Sequence, residues 1–129
     1  MVKQKIRIVG LNAFSLSMIP LSVRYSIDVM PVKNLNELKE NLDWIFTMYS
    51  IYDYEQVEWI HFIRHKPTLD LLRSVFPQFP QKPNDEVYTY RDGDILIIAT
   101  LKTPRCGVDN DIAITENDLI YAIVKIRSC

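Results

Sequence analysis

Glycine is scarce. Three glycines in 129 residues leave no glycine-rich loop to cradle a phosphate and no dinucleotide-binding turn. Cysteine is scarcer still: Cys106 sits in a loop stretch and Cys129 is the last residue. They form neither a disulfide framework nor a paired-thiol metal motif, and read as free thiols of a reducing compartment. No apolar run approaches the ~20 residues that span a bilayer. The opening Met1-Val2-Lys3-Gln4-Lys5 leads into alternating residues and not into a signal core. A cytoplasmic protein without a membrane partner is expected. Charge of neither sign dominates, with 15 basic against 16 acidic residues. Binding along duplex DNA needs a strongly basic face, so DNA is not expected as a partner. A small basic pocket for a compact phosphate ligand remains compatible with this balance.

What the chain does have is one core's worth of apolar residues, arranged in two periodicities. Residues 1–129 read as a single domain. Alternation predicts strands over Lys5–Leu11, Val23–Val29, Val57–Ile63 and Leu119–Ile126. Pro31 is expected to close the second. Spacings of three and four predict a helix from Leu35 to Tyr49, with Asn34 and Glu37 as a capping pair. A second helix is expected after Pro67, carrying Leu69, Leu72 and Phe76 and ending before Pro77. Asp92-Gly93 between Val87–Arg91 and Asp94–Leu101 predicts a two-residue hairpin. Ile95–Ala99, apolar on both faces, predicts a central strand covered on each side. The fold class is α/β (α+β), with one mixed sheet of five or six strands flanked by helices.

The chemistry concentrates where the third strand meets the second helix. Arg64-His65-Lys66 is the one place where an imidazole lies between two cations. A helix start leaves its first amides unpaired, and such a point attracts phosphate. His65 is therefore a candidate proton carrier beside a candidate phosphate site formed by Arg64, Lys66 and those amides. A metal-free nuclease needs little more: a ribose 2′-hydroxyl held in line, and an acid for the leaving 5′-oxygen. His61 lies four residues earlier, a metal-binding spacing only if both sit on one helix. Alternating with Trp59 and Ile63, it reads as structural, and no metal or other cofactor is expected. Asp92-Gly93-Asp94 is explained by a turn and does not require calcium. Asn12, Ser15 and Ser17 follow the first strand, where polar residues contact ligands in open sheets. From the spacing alone, a capping turn in which they bond only to nearby backbone is the better explanation.

Three segments resemble the motifs of a known family. These are Leu11-Asn12-Ala13-Phe14-Ser15-Leu16-Ser17-Met18, then Ile63-Arg64-His65-Lys66-Pro67-Thr68-Leu69-Asp70-Leu71-Leu72, and then Gly93-Asp94 followed by Thr103-Pro104-Arg105. Their order and spacing resemble the viral ring nucleases, anti-CRISPR proteins of archaeal viruses directed at type III systems. The resemblance implies a homodimer that binds cyclic tetra-adenylate and opens it without metal, in the cytoplasm of the infected host. It implies His65 as general acid, the ring's own 2′-hydroxyl as nucleophile, and Asn12, Ser15, Ser17, Thr68 and Arg105 as ring contacts. Arg64 stands where the family usually has glycine, and Lys66-Pro67 replaces a small polar pair. Asn84-Asp85 stands where Asn-Arg is common, and Val108 where an acid is usual. The alternative is a non-catalytic dimeric viral protein that sequesters a cyclic nucleotide or regulates through DNA. A protein that docks on a host partner would show no nucleotide affinity at all.

Overall fold

The computed structural model describes residues 6–14, 18–19, 24–50, 57–91, 93–102 and 114–128, the side chains of 127 and 128 excepted. Five strands form one mixed sheet: β1 (Ile6–Leu11), β2 (Tyr25–Val32), β3 (Val57–His61), β4 (Ile95–Leu101) and β5 (Leu119–Ser128). Their spatial order is β2-β5-β4-β1-β3. β1 runs parallel to both β3 and β4, whereas β5 is antiparallel to β4 and β2. Two helices, α1 (Leu35–Met48) and α2 (Lys66–Val75), join the strands. A 3-10 turn at Glu116–Asp118 leads into β5.

Strand alternation sorts the core into two layers. Ile8, Val57, Ile95, Ile97, Ala99, Tyr121 and Ile123 face the two helices. They pack with Leu38, Leu42 and Ile45 of α1 and with Leu69 and Leu72 of α2. The start of α1 is fixed by the Asn34 side chain, which accepts the Glu37 amide at 2.8 Å. Trp59 of β3 meets Phe79 edge-on, with ring centroids 5.0 Å apart, and so ties the chain beyond α2 to the sheet. Val9, Leu11, Leu96, Ile98, Val124 and Ile126 face the other way, away from α1 and α2. Tyr88, Tyr90 and Ile19, from segments outside the strands and these two helices, are buried against them. That cover is incomplete toward β2, where Ile27 and Val29 are exposed.

The expected strand at Ile95–Ala99 is the central one, and all five of its residues are buried. The expected hairpin is a correction. The turn exists: Asp94 N–H donates to the Arg91 carbonyl at 3.0 Å, and Gly93 has φ +91, a conformation that glycine adopts freely. Its first arm, however, is no strand. Both edges of β4 are occupied by β1 and β5, so residues 87–91 have no ladder to join. They cross the second face instead. The Tyr90 amide donates to the Met18 carbonyl at 2.9 Å, and its hydroxyl donates to the Ile126 carbonyl at 2.6 Å. The mixed direction of the sheet comes from β5. Pro31 likewise does not close β2, which continues to Val32 with Pro31 opposite Ala122. β2 is an edge strand, where proline's missing N–H is tolerated.

Candidate active site

β1, β2, β3 and β4 all run one way, so their C-terminal ends gather at one edge of the sheet. From β1 the chain has a parallel neighbour on each side, β3 and β4. The crevice outside such a branching point is where open α/β sheets bind ligands. Gly10 is in register with His61, and the Phe62 amide extends the pairing by donating to the Gly10 carbonyl at 2.9 Å. Asn12 and His65 thus leave neighbouring strands at the same edge. Asn12 is exposed and His65 half-buried. Ser15, Ser17, Arg105, Cys106, Val108 and Cys129 lie outside the described residues.

The two histidines have different surroundings. His61 is wholly buried in the sheet. Its Nδ1 accepts the Ile63 amide at 3.2 Å, and its Nε2 lies 2.8 Å from the Pro80 carbonyl. An amide can only donate and a carbonyl can only accept, so the ring is the neutral tautomer with hydrogen on Nε2. Desolvation lowers its pKa, and the nearby Arg73 charge acts in the same direction. With neither nitrogen free, His61 is structural, as its alternation with Trp59 and Ile63 suggests.

His65 is the residue that precedes α2, and its carbonyl accepts the Leu69 amide at 3.1 Å. Its Nδ1 lies 2.7 Å from the Thr68 hydroxyl. That hydroxyl can donate to a bare Nδ1 or accept from a protonated one, so the contact survives either charge state of the ring. Nε2 has no hydrogen-bond partner among the described residues. Thr68 is 2% exposed. Expected as a ring contact, it is placed to orient the imidazole. Pro67 fits the first turn because it has no N–H to waste, while the Lys66 and Thr68 amides have no acceptor within the helix.

Arg64 and Lys66, the cations flanking His65 in sequence, open onto a separate cleft of about 460 Å³. It lies between α2 and residues 81–83, and His65 is not among its lining residues. Arg73 and Lys82 add two further cations and Asp70 the single carboxylate. The sequence reading missed these contributors. Spacings of three and four join Lys66, Asp70 and Arg73 on α2, a signal that was available; nothing in the sequence brings Lys82 to them. Asn84 is tied to this region by its amide, which donates to the His61 carbonyl at 2.8 Å, and Asp85 beside it is exposed.

Among the described residues, no group of three or more His, Cys, Asp or Glu side chains is disposed to hold a metal. No helix there is long and apolar enough to cross a membrane. No family model and no curated protein matches the chain. Among solved structures, B116 of Sulfolobus turreted icosahedral virus is similar. It shares 14% identity over 92% of this chain and 98% of that one, with a TM-score of 0.56. At that identity the likeness is one of fold.

Proposed function

We propose that the chain is a metal-independent ring nuclease of an archaeal virus, a homodimer that opens cyclic tetra-adenylate and so counters type III CRISPR immunity. The observation that carries the reading is the imidazole of His65 at the strand–helix junction, fixed through Nδ1 by Thr68, with Nε2 unengaged among the described residues. The viral assignment draws on the three sequence motifs and on a fold shared with a Sulfolobus virus protein.

In this mechanism a ribose 2′-oxygen attacks the adjacent phosphorus and its proton passes to solvent. The P–O5′ bond breaks, and His65 Nε2–H protonates the departing 5′-oxygen. The products end in a 2′,3′-cyclic phosphate and a 5′-hydroxyl. The first-turn amides of α2 face developing negative charge, and Arg64 and Lys66 raise the local positive potential. Asn12, Ser15, Ser17 and Arg105 are assigned to holding the ring. A two-fold dimer would meet a ring of matching symmetry and offer one His65 to each of two opposed phosphates.

A second reading, a protein that sequesters the ring without cutting it, is favoured by Asp85. This exposed anion lies beside Asn84 near the same edge, where the family commonly has arginine. The test is incubation of labelled cyclic tetra-adenylate with the protein in excess EDTA, beside His65→Ala. Linear products from wild type, with loss of cleavage and retained binding in the variant, are expected. Normal cleavage by His65→Ala would remove the assigned acid. Tight binding without cleavage by wild type would support sequestration.

A further inference from the structure

The cleft between α2 and residues 81–83 does not include His65 in its lining, although Arg64 and Lys66 border both it and the His65 junction. Among the described residues that line it, four cations, Arg64, Lys66, Arg73 and Lys82, meet one carboxylate, Asp70. In a chain with 15 basic and 16 acidic residues, that is a strong local excess. Among the described residues the ion pairs are Arg7–Asp94 and Lys39–Asp43, so none of the four is neutralised by a salt bridge. Like charges gathered in a cleft with low-dielectric walls focus positive potential into it.

The walls are also held in place. Arg73 Nε donates to the Phe79 carbonyl at 2.9 Å, which fixes the guanidinium while leaving its terminal nitrogens for a ligand. The loop carrying Lys82 is pinned on both sides by His61: the ring donates to the Pro80 carbonyl, and the His61 carbonyl accepts the Asn84 amide. Ile63 and Leu69, both buried, form an apolar floor. A volume of about 460 Å³ suits a nucleotide-sized molecule. A nucleic-acid strand would need a longer basic track, which the near-neutral chain does not favour.

We propose that this cleft is a second binding site, distinct from the His65 crevice, for the adjacent phosphates of a nucleoside oligophosphate. Lys66, Arg73 and Lys82 hold the phosphates, Arg64 adds a cation at the rim, and the apolar floor receives the body of the ligand.

The test is calorimetric titration of the full chain with ATP, inorganic tripolyphosphate and hexauridylate. ATP and tripolyphosphate should bind saturably, and more weakly as salt rises. Lys66→Gln and Lys82→Gln alter exposed side chains, and each should weaken ATP binding by about ten-fold, the worth of one charge-assisted hydrogen bond. His65→Ala and Asn12→Ala should bind ATP as wild type does. The proposal is overturned if neither phosphate compound binds saturably, or if His65→Ala loses ATP as the lysine variants do. It is also overturned if hexauridylate binds more tightly than ATP, which would mark a strand-binding groove. Ring cleavage does not enter this measurement, so the two readings fail independently.

Discussion

His61 and His65 are four residues apart and chemically opposite, because of what their ring nitrogens meet. The folded His61 resists protonation, so its pKa lies below the usual 6.5. Between those two values the unfolded chain binds the proton and the folded chain does not. The His61 contribution to stability is therefore full above about pH 6.5 and declines as pH falls toward the folded pKa. Urea midpoints should drop between about pH 7.5 and pH 5.5, and His61→Gln, less stable throughout, should show the shallower pH dependence. At His65 the prediction concerns rate. Thr68→Val keeps the buried volume but removes the hydroxyl that orients Nδ1, and kcat for ring cleavage should fall about five- to ten-fold with KM little changed. Thr68→Ser should restore the rate. His65 was visible in sequence because two cations and a helix-starting proline surround it. Thr68's bond to it was not, since a side-chain contact three residues along depends on the backbone turn at the helix entry.

At the scale of elements, the site depends on how closely β1 and β3 approach. A Cβ on Gly10 would lie 3.1 Å from the His61 Cβ, with Phe79 and Ile63 side chains just beyond. The neighbouring Phe62 amide is bonded to the Gly10 carbonyl, so the strands cannot simply part. Gly10→Ala should cost about 1–3 kcal/mol in urea unfolding. It should also disturb the crevice between Asn12 and His65. Helices and core strands were legible because their periodicities are long: α1 covers Leu35–Met48 against an expected Leu35–Tyr49. The 87–91 segment was not. Tyr88 and Tyr90 alternate as strand residues do, but they serve as a lid, Tyr90 bonded to Met18 and Ile126 and Tyr88 to Asp94. A local pattern cannot show that the neighbouring strand's edges are already taken.

For the molecule as a whole, one clamp joins β1, β4 and that lid. Arg7 grips Asp94 through both carboxylate oxygens, Nε to Oδ1 at 2.8 Å and Nη2 to Oδ2 at 2.5 Å. The Tyr88 hydroxyl and the Arg91 amide donate to the same Oδ2. Asp94 is 2% exposed. Arg7→Met should lower stability by about 3 kcal/mol, because it leaves a buried carboxylate without its counter-charge. Asp94→Asn keeps an acceptor for Tyr88 and should cost less; denaturant midpoints distinguish the two. Sequence reading placed Asp94 beside a turn and in the third motif but not in this clamp, since its partner Arg7 lies 87 residues away.

The sheet order also has a consequence for biosynthesis. β1 is made before its neighbours β3 and β4: Ile8 waits for Trp59 and then Ile95, roughly fifty and ninety residues later. Among the described strands β2 pairs with β5 alone, which is made after the other four. The nascent chain therefore carries unpaired strands until β5 has emerged, and a ribosome stalled before residue 119 would hold a chain whose β2 lacks that partner.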